Sequence, residues 1–172
     1  MTTKERILTK IRSRGAGSAF TAKDFAVIAS RGTTDVTLAR LTREGFIRRV
    51  GRGLYDYPRK SEMLNQIISP DVDQVAQAIA RKHRWTIAPG GAMAANMLGL
   101  SQQIPAKVIY LSDGPTRQFA VGRGTISFRH ANPKDLKMTH YSSRLLAQAL
   151  RFLGKENIDS TVIDRLRRIV PT

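Results

Sequence analysis

The sequence predicts an α+β fold in two parts, a helical N-terminal domain that ends in a β-hairpin and a smaller α+β domain behind it. Three observations carry this. Residues 4–44 repeat apolar side chains at helical spacing, with a break at Ser30-Arg31-Gly32. Residues 46–57, FIRRVGRGLYDY, set two β-prone segments on either side of a glycine turn. Beyond residue 84, short β-prone runs alternate with Gly- and Pro-containing turns before two closing helices.

In the first part, Ile7, Leu8 and Ile11 make the inward stripe of a helix flanked by Lys4, Arg6, Lys10 and Arg12. After Arg14 to Gly17, Thr21 caps a predicted second helix over residues 22–29, with Phe25 and Ile28 inward. Thr33 or Thr34 then caps a third helix from Asp35 to about Glu44, which Leu38 and Leu41 turn inward and Gly45 stops. Two helices across a short Gly-containing turn, followed by a hairpin over Gly51-Arg52-Gly53 that Pro58 closes, have the order of a winged helix-turn-helix. This accounts for residues 1–60.

Residues 61–70 read as a connector, and Ser69-Pro70-Asp71 as the start of a helix carrying Val72, Val75, Ala76 and Ile79, which opens a second domain over residues 71–172. There the expected elements are a short strand at Trp85 to Ile87, a turn at Pro89-Gly90-Gly91, and a small-residue helix from Ala92 to Leu98. Strands at 108–111, 118–121 and 125–128 and helices near 143–153 and 159–169 complete it.

Composition narrows the partner. The 172 residues hold 29 Lys and Arg against 13 Asp and Glu, a formal charge of +16, which suits a polyanion. Residues 1–60 carry 14 of the basic and five of the acidic residues, net +9, so the N-terminal part is more than twice as basic per residue as the remainder at +7. No apolar run of about 18 residues occurs and the basic residues are not gathered on a strongly apolar helix, so no membrane partner is expected. The absence of cysteine removes disulfides, thiolate catalysis and Cys-ligated metals. With no apolar signal core at the start, a cytoplasmic location is expected.

On the third helix, Arg31, Thr33, Thr34, Asp35, Arg40 and Arg43 are the candidates for touching phosphates and base edges, since they lie off the Leu38/Leu41 face. Arg48, Arg49 and Arg52 are the hairpin candidates. Side chains alternate along a strand, so Arg48 and Arg49 cannot both face outward and one of them has a structural role. Gly122-Arg123-Gly124 repeats the form of the first turn, either as a plain hairpin turn or as a second basic ribbon.

Signals for catalysis are weak. His83, His130 and His140 form no ligand motif, no glutamate is followed two positions later by lysine, and Asp71-Val72-Asp73 lies where a first helical turn favours acids. Pro89-Gly90-Gly91-Ala92 matches neither phosphate-loop pattern and reads as a tight packing turn. No enzyme activity, metal or other cofactor is expected. The rival reading is a nucleic-acid-processing enzyme whose active site is assembled from scattered C-terminal residues.

RLTREGFIRRVGRGLYDYPR, together with TIAPGGAMAANMLGLSQQIPAKVIYLSDGPTRQFAVGRGTISFRHA, resembles the AbiEi-type antitoxins of type IV toxin-antitoxin systems, in particular the short group DUF6088, over about residues 1–150. The resemblance implies a winged-helix domain that represses its own promoter, with Arg48, Arg49 and Arg52 as wing positions and Thr33 through Glu44 as the DNA-reading helix. It also implies a C-terminal domain that confers antitoxicity against a nucleotidyltransferase toxin. This chain departs from the resemblance in being short, which implies a reduced version of the second domain. A solitary regulator with a partner-docking C-terminal domain is the alternative, and a neighbouring nucleotidyltransferase gene separates the two.

Overall fold

The computed structural model describes residues 1–169 and is mixed α+β, with six α-helices among the described residues. The chain forms two compact units. One comprises Met1–Arg84 with Phe119–Gly124, the other Trp85–Gln118 with the residues from Thr125 onward.

In the first unit, helix α1 (Thr3–Ser13) starts at a reciprocal cap: the Glu5 amide donates to Thr2 Oγ1 at 3.2 Å and the Thr2 amide to Glu5 Oε2 at 2.6 Å. Strand β1 (Ala19–Phe20) follows, then a short 3₁₀ turn (Ala22–Phe25) where a full helix over 22–29 was expected. The reason is local. Asp24 reaches back to the Thr21 amide at 2.8 Å and closes one tight turn. Of the residues beyond Phe25, Val27 is exposed and Ile28 only half-buried, so little apolar surface repays nucleating a longer helix.

Helix α2 (Arg31–Arg43) begins one turn earlier than expected because Ser30, not Thr33 or Thr34, is the cap, accepting from the Thr33 amide. Strands β2 (Arg48–Gly51) and β3 (Leu54–Asp56) form a hairpin, which β1 extends into an antiparallel sheet of order β1-β3-β2. Ile7, Ile11, Phe20, Phe25, Leu38, Leu41, Ile47 and Tyr55 make one buried cluster, with Phe25 set edge-on to Phe20 at 5.4 Å. The predicted connector holds a second small hairpin, β4 (Lys60–Ser61) and β5 (Gln66–Ile67).

Helix α3 (Val72–His83), capped by Asp71, belongs to this first unit and not to the second domain. Its apolar stripe buries Val75, Ala76 and Ile79. Arg81 fastens it by donating to the Ala19 carbonyl and to Asp24, both at 2.9 Å. Arg14 meets the same Asp24 carboxylate at 3.1 Å. Burial opposes ionisation of Asp24, but the Thr21 amide and the Arg81 and Arg14 guanidiniums outweigh it and hold the carboxyl below its ordinary range.

In the second unit, β6 (Ile87–Pro89) leads through a turn into α4 (Gly91–Met97), followed by β7 (Val108–Ser112), β8 (Arg117–Val121), β9 (Gly124–His130), α5 (Tyr141–Leu153) and α6 (Ser160–Ile169). The sheet order is β6-β7-β9-β8, with β6 antiparallel and β9 parallel to β7. The tip of the β8-β9 hairpin, Phe119–Gly124, is the segment that belongs to the first unit. Ala94, Ala95, Leu98 and Ala149 form the α4/α5 core. A Cβ at Gly91 would stand 2.7 Å from Cβ of Phe152 on α5, so the glycine is there for close helix packing. Among the described residues no helix is long and apolar enough to cross a membrane.

Candidate functional site

Helix α2 sorts its residues sharply by face. Leu38 and Leu41 are fully buried, and the threonines beside them turn their hydroxyls into the helix: Thr34 Oγ1 donates to the Ser30 carbonyl at 2.9 Å and Thr37 Oγ1 to Thr33 at 2.7 Å. This removes Thr34, a predicted contact residue, from the surface, because its hydroxyl is used by the backbone one turn earlier. The opposite face presents Gly32, Thr33, Val36, Ala39, Arg40 and Arg43. Val36 is 71% exposed. Val36 and Ala39 were not among the expected contact residues, which were all charged or hydroxyl-bearing; their i, i+3 spacing off the Leu38/Leu41 stripe was the available signal.

The cations on this face differ in freedom. Arg40 Nε lies 3.1 Å from Glu44, which also takes Lys4 at 2.6 Å. The Lys4 hydrogen bond, then that of Arg40, holds the Glu44 carboxyl below its ordinary value. Arg31 stands 3.8 Å from Asp35, both exposed. Arg43 has no ion pair or hydrogen bond among the described residues.

The alternation of the hairpin strand decides between its first two arginines. Arg48 makes a two-pronged contact with Asp56, Nε at 3.0 Å and Nη2 at 2.6 Å, and donates from Nη1 to the Ile68 carbonyl. Asp56 is only 1% exposed. Arg48 therefore neutralises a buried carboxylate across the β2-β3 register and is not available as a surface cation. Arg49 is exposed, its Nε 3.3 Å from the Gly51 carbonyl, and Arg52 at the tip is exposed with no partner among the described residues.

Two further features adjoin the hairpin. A cavity of about 400 Å³ near the start of α2 is lined by Ala26, Arg31, Asp35, Gly53 and two lysines, Lys23 and Lys82, which sequence reasoning left out because they come from the 3₁₀ turn and from α3. Along β2, the Gly122 amide donates to the Val50 carbonyl at 2.8 Å, and the Ala120 carbonyl lies 2.9 Å from where a Cβ on Gly51 would be. The second Gly-Arg-Gly turn is thus docked on the first. A groove of about 510 Å³ there is lined by Arg49, Arg52, Ala120 and Gly122.

Among the described residues, no three His, Asp or Glu side chains gather as a metal would need. Residues 6–171 match the model of a family of unknown function, DUF6088, and the chain belongs to that family. No curated protein matches the chain.

Proposed function

We propose that this DUF6088 member is a cytoplasmic, sequence-specific DNA-binding protein, a transcriptional repressor whose first unit works as a winged helix-turn-helix. The observation that carries the reading is the outward face of α2. A helix face that combines small residues, bare methyl groups and an arginine without an ion pair among the described residues, Arg43, is suited to a major groove, where arginine reads guanine and methyls meet the thymine C5-methyl. In this reading Val36 and Ala39 are the apolar readers, Arg43 and Arg40 contact base edges or phosphates, and Arg52 with Arg49 grips the backbone as the wing.

The test is duplex binding to the DNA upstream of the protein's own gene, measured by gel shift or anisotropy. Arg43→Ala is expected to weaken binding by about 1–3 kcal/mol, roughly five- to 150-fold. Replacing thymines of the bound site by deoxyuridine is expected to weaken the wild type, and Val36→Gly is expected to lose that discrimination. Wild-type protein that binds its upstream DNA no better than unrelated duplex ends the proposal.

The resemblance to AbiEi-type antitoxins supports a more specific role, repression of the protein's own toxin-antitoxin promoter together with neutralisation of a nucleotidyltransferase toxin. Co-expression with an adjacent nucleotidyltransferase checks this: rescue of growth is expected, and absence of such a neighbour leaves a solitary regulator. A divalent-metal cleavage assay on the same duplex tests the enzyme alternative, with binding and no cleavage as the expected result.

A further inference from the structure

We propose that the docked turn Gly122-Arg123-Gly124 is a second wing, and that Arg123 binds a DNA backbone phosphate beside Arg52. The proposal rests on the DNA-binding reading and extends its footprint to a segment more than sixty residues away in sequence. Three observations carry it. First, the turn is attached to the wing strand: the Gly122 amide bonds the Val50 carbonyl at 2.8 Å, on the open edge that the order β1-β3-β2 leaves to β2.

Second, the attachment is sterically provided for, since Gly51 leaves the Ala120 carbonyl a place that a Cβ at 2.9 Å would fill. Third, Arg123 is exposed and has no ion pair or hydrogen bond among the described residues, as is also true of Arg52. No acidic residue lies in 117–124 to neutralise it. The groove lined by Arg49, Arg52, Ala120 and Gly122 has its two arginines on the side of the first hairpin, and Arg123 follows Gly122 directly in the chain. Guanidiniums displayed this way hold phosphate oxygens and carry no base preference.

The experiment is anisotropy with the full-length chain on its upstream duplex across a salt series. Arg123→Ala is expected to lower the slope of log K against log salt by about one, and affinity roughly eightfold at 0.1 M salt, the value a slope of 0.9 per phosphate gives. The loss should be alike for specific and unrelated duplexes. Gly51→Val, which displaces Ala120, is expected to give the same loss, and adding Arg123→Ala to it to give no more.

Arg167→Ala, in a cation of α6, should change neither quantity. An unchanged slope in Arg123→Ala beside a reduced one in Arg52→Ala overturns the second wing and leaves the DNA-binding reading standing. If the wild type binds no duplex, both fall. Should Gly51→Val fail to fold, Arg123→Ala alone decides.

Discussion

The two units hold their part-buried arginines with different partners. In the first, buried acids choose which arginines become structural: Asp56 takes Arg48, and Asp24 takes Arg14 and Arg81. Arg43, Arg49, Arg52 and Arg123 are among the arginines left on the surface without an ion pair. In the second unit, Arg144 works without any acid in its hydrogen bonds, donating to the carbonyls of Ile87, Met138 and Thr139 at 2.8, 2.6 and 2.9 Å. Burial presses its guanidinium below the ordinary value, while Tyr141 and Asp113 act the other way. A count of basic residues thus cannot locate a polyanion surface. The placement of the few acids can, because each buried carboxylate subtracts a particular arginine from the surface.

The contrast can be broken most strongly at Asp56. Arg48→Ala should cost about 3 kcal/mol of unfolding free energy, since it leaves a carboxylate that is 1% exposed without its counter-charge. Denaturant unfolding measures this, and a cost no larger than that of Arg49→Ala removes the distinction between the two positions. Next comes Arg144→Met, which keeps the aliphatic stem and removes three donated bonds, for about 2 kcal/mol.

The smallest effect sharpens the comparison through pH. The Asp24 carboxyl is depressed in the folded state, so its stabilisation is fully present above the unfolded value near 3.9 and is lost as pH falls through the lower folded value. Asp24→Asn should be less stable than wild type at neutral pH and flatter in stability below about pH 4. Parallel urea midpoints from pH 7 to 3 in the two proteins would contradict it.

How much of this was legible in the sequence depended on distance along the chain. The face of α2 could be read from Leu38 and Leu41, and the hairpin from the glycines between two β-prone runs, because both signals lie within a few residues. The exclusion argument for Arg48 and Arg49 was also legible, but which of the two turned inward required knowing that Asp56 sits opposite Arg48. The missing helix at 22–29 came from reading propensity where a single Asp24 hydrogen bond closes the turn. The β4-β5 hairpin has only two paired positions and no alternation to announce it. The join between Gly122 and Val50 has no local trace at all. The repeat of Gly-Arg-Gly marked the segment but could not say what it touched.

The shared carboxylate at Asp24 has a practical consequence for anyone trimming this chain to a minimal fragment. A truncation after Pro58, where the hairpin ends, would cut away α3 and with it Arg81, exposing the apolar floor beneath that helix and stripping Asp24 of one of its two cations. A fragment running through Arg84 keeps the clasp closed. Solubility and melting temperature of the two lengths should differ accordingly, with the longer piece the more soluble and the higher melting, although it still lacks the Phe119–Gly124 segment of the same unit.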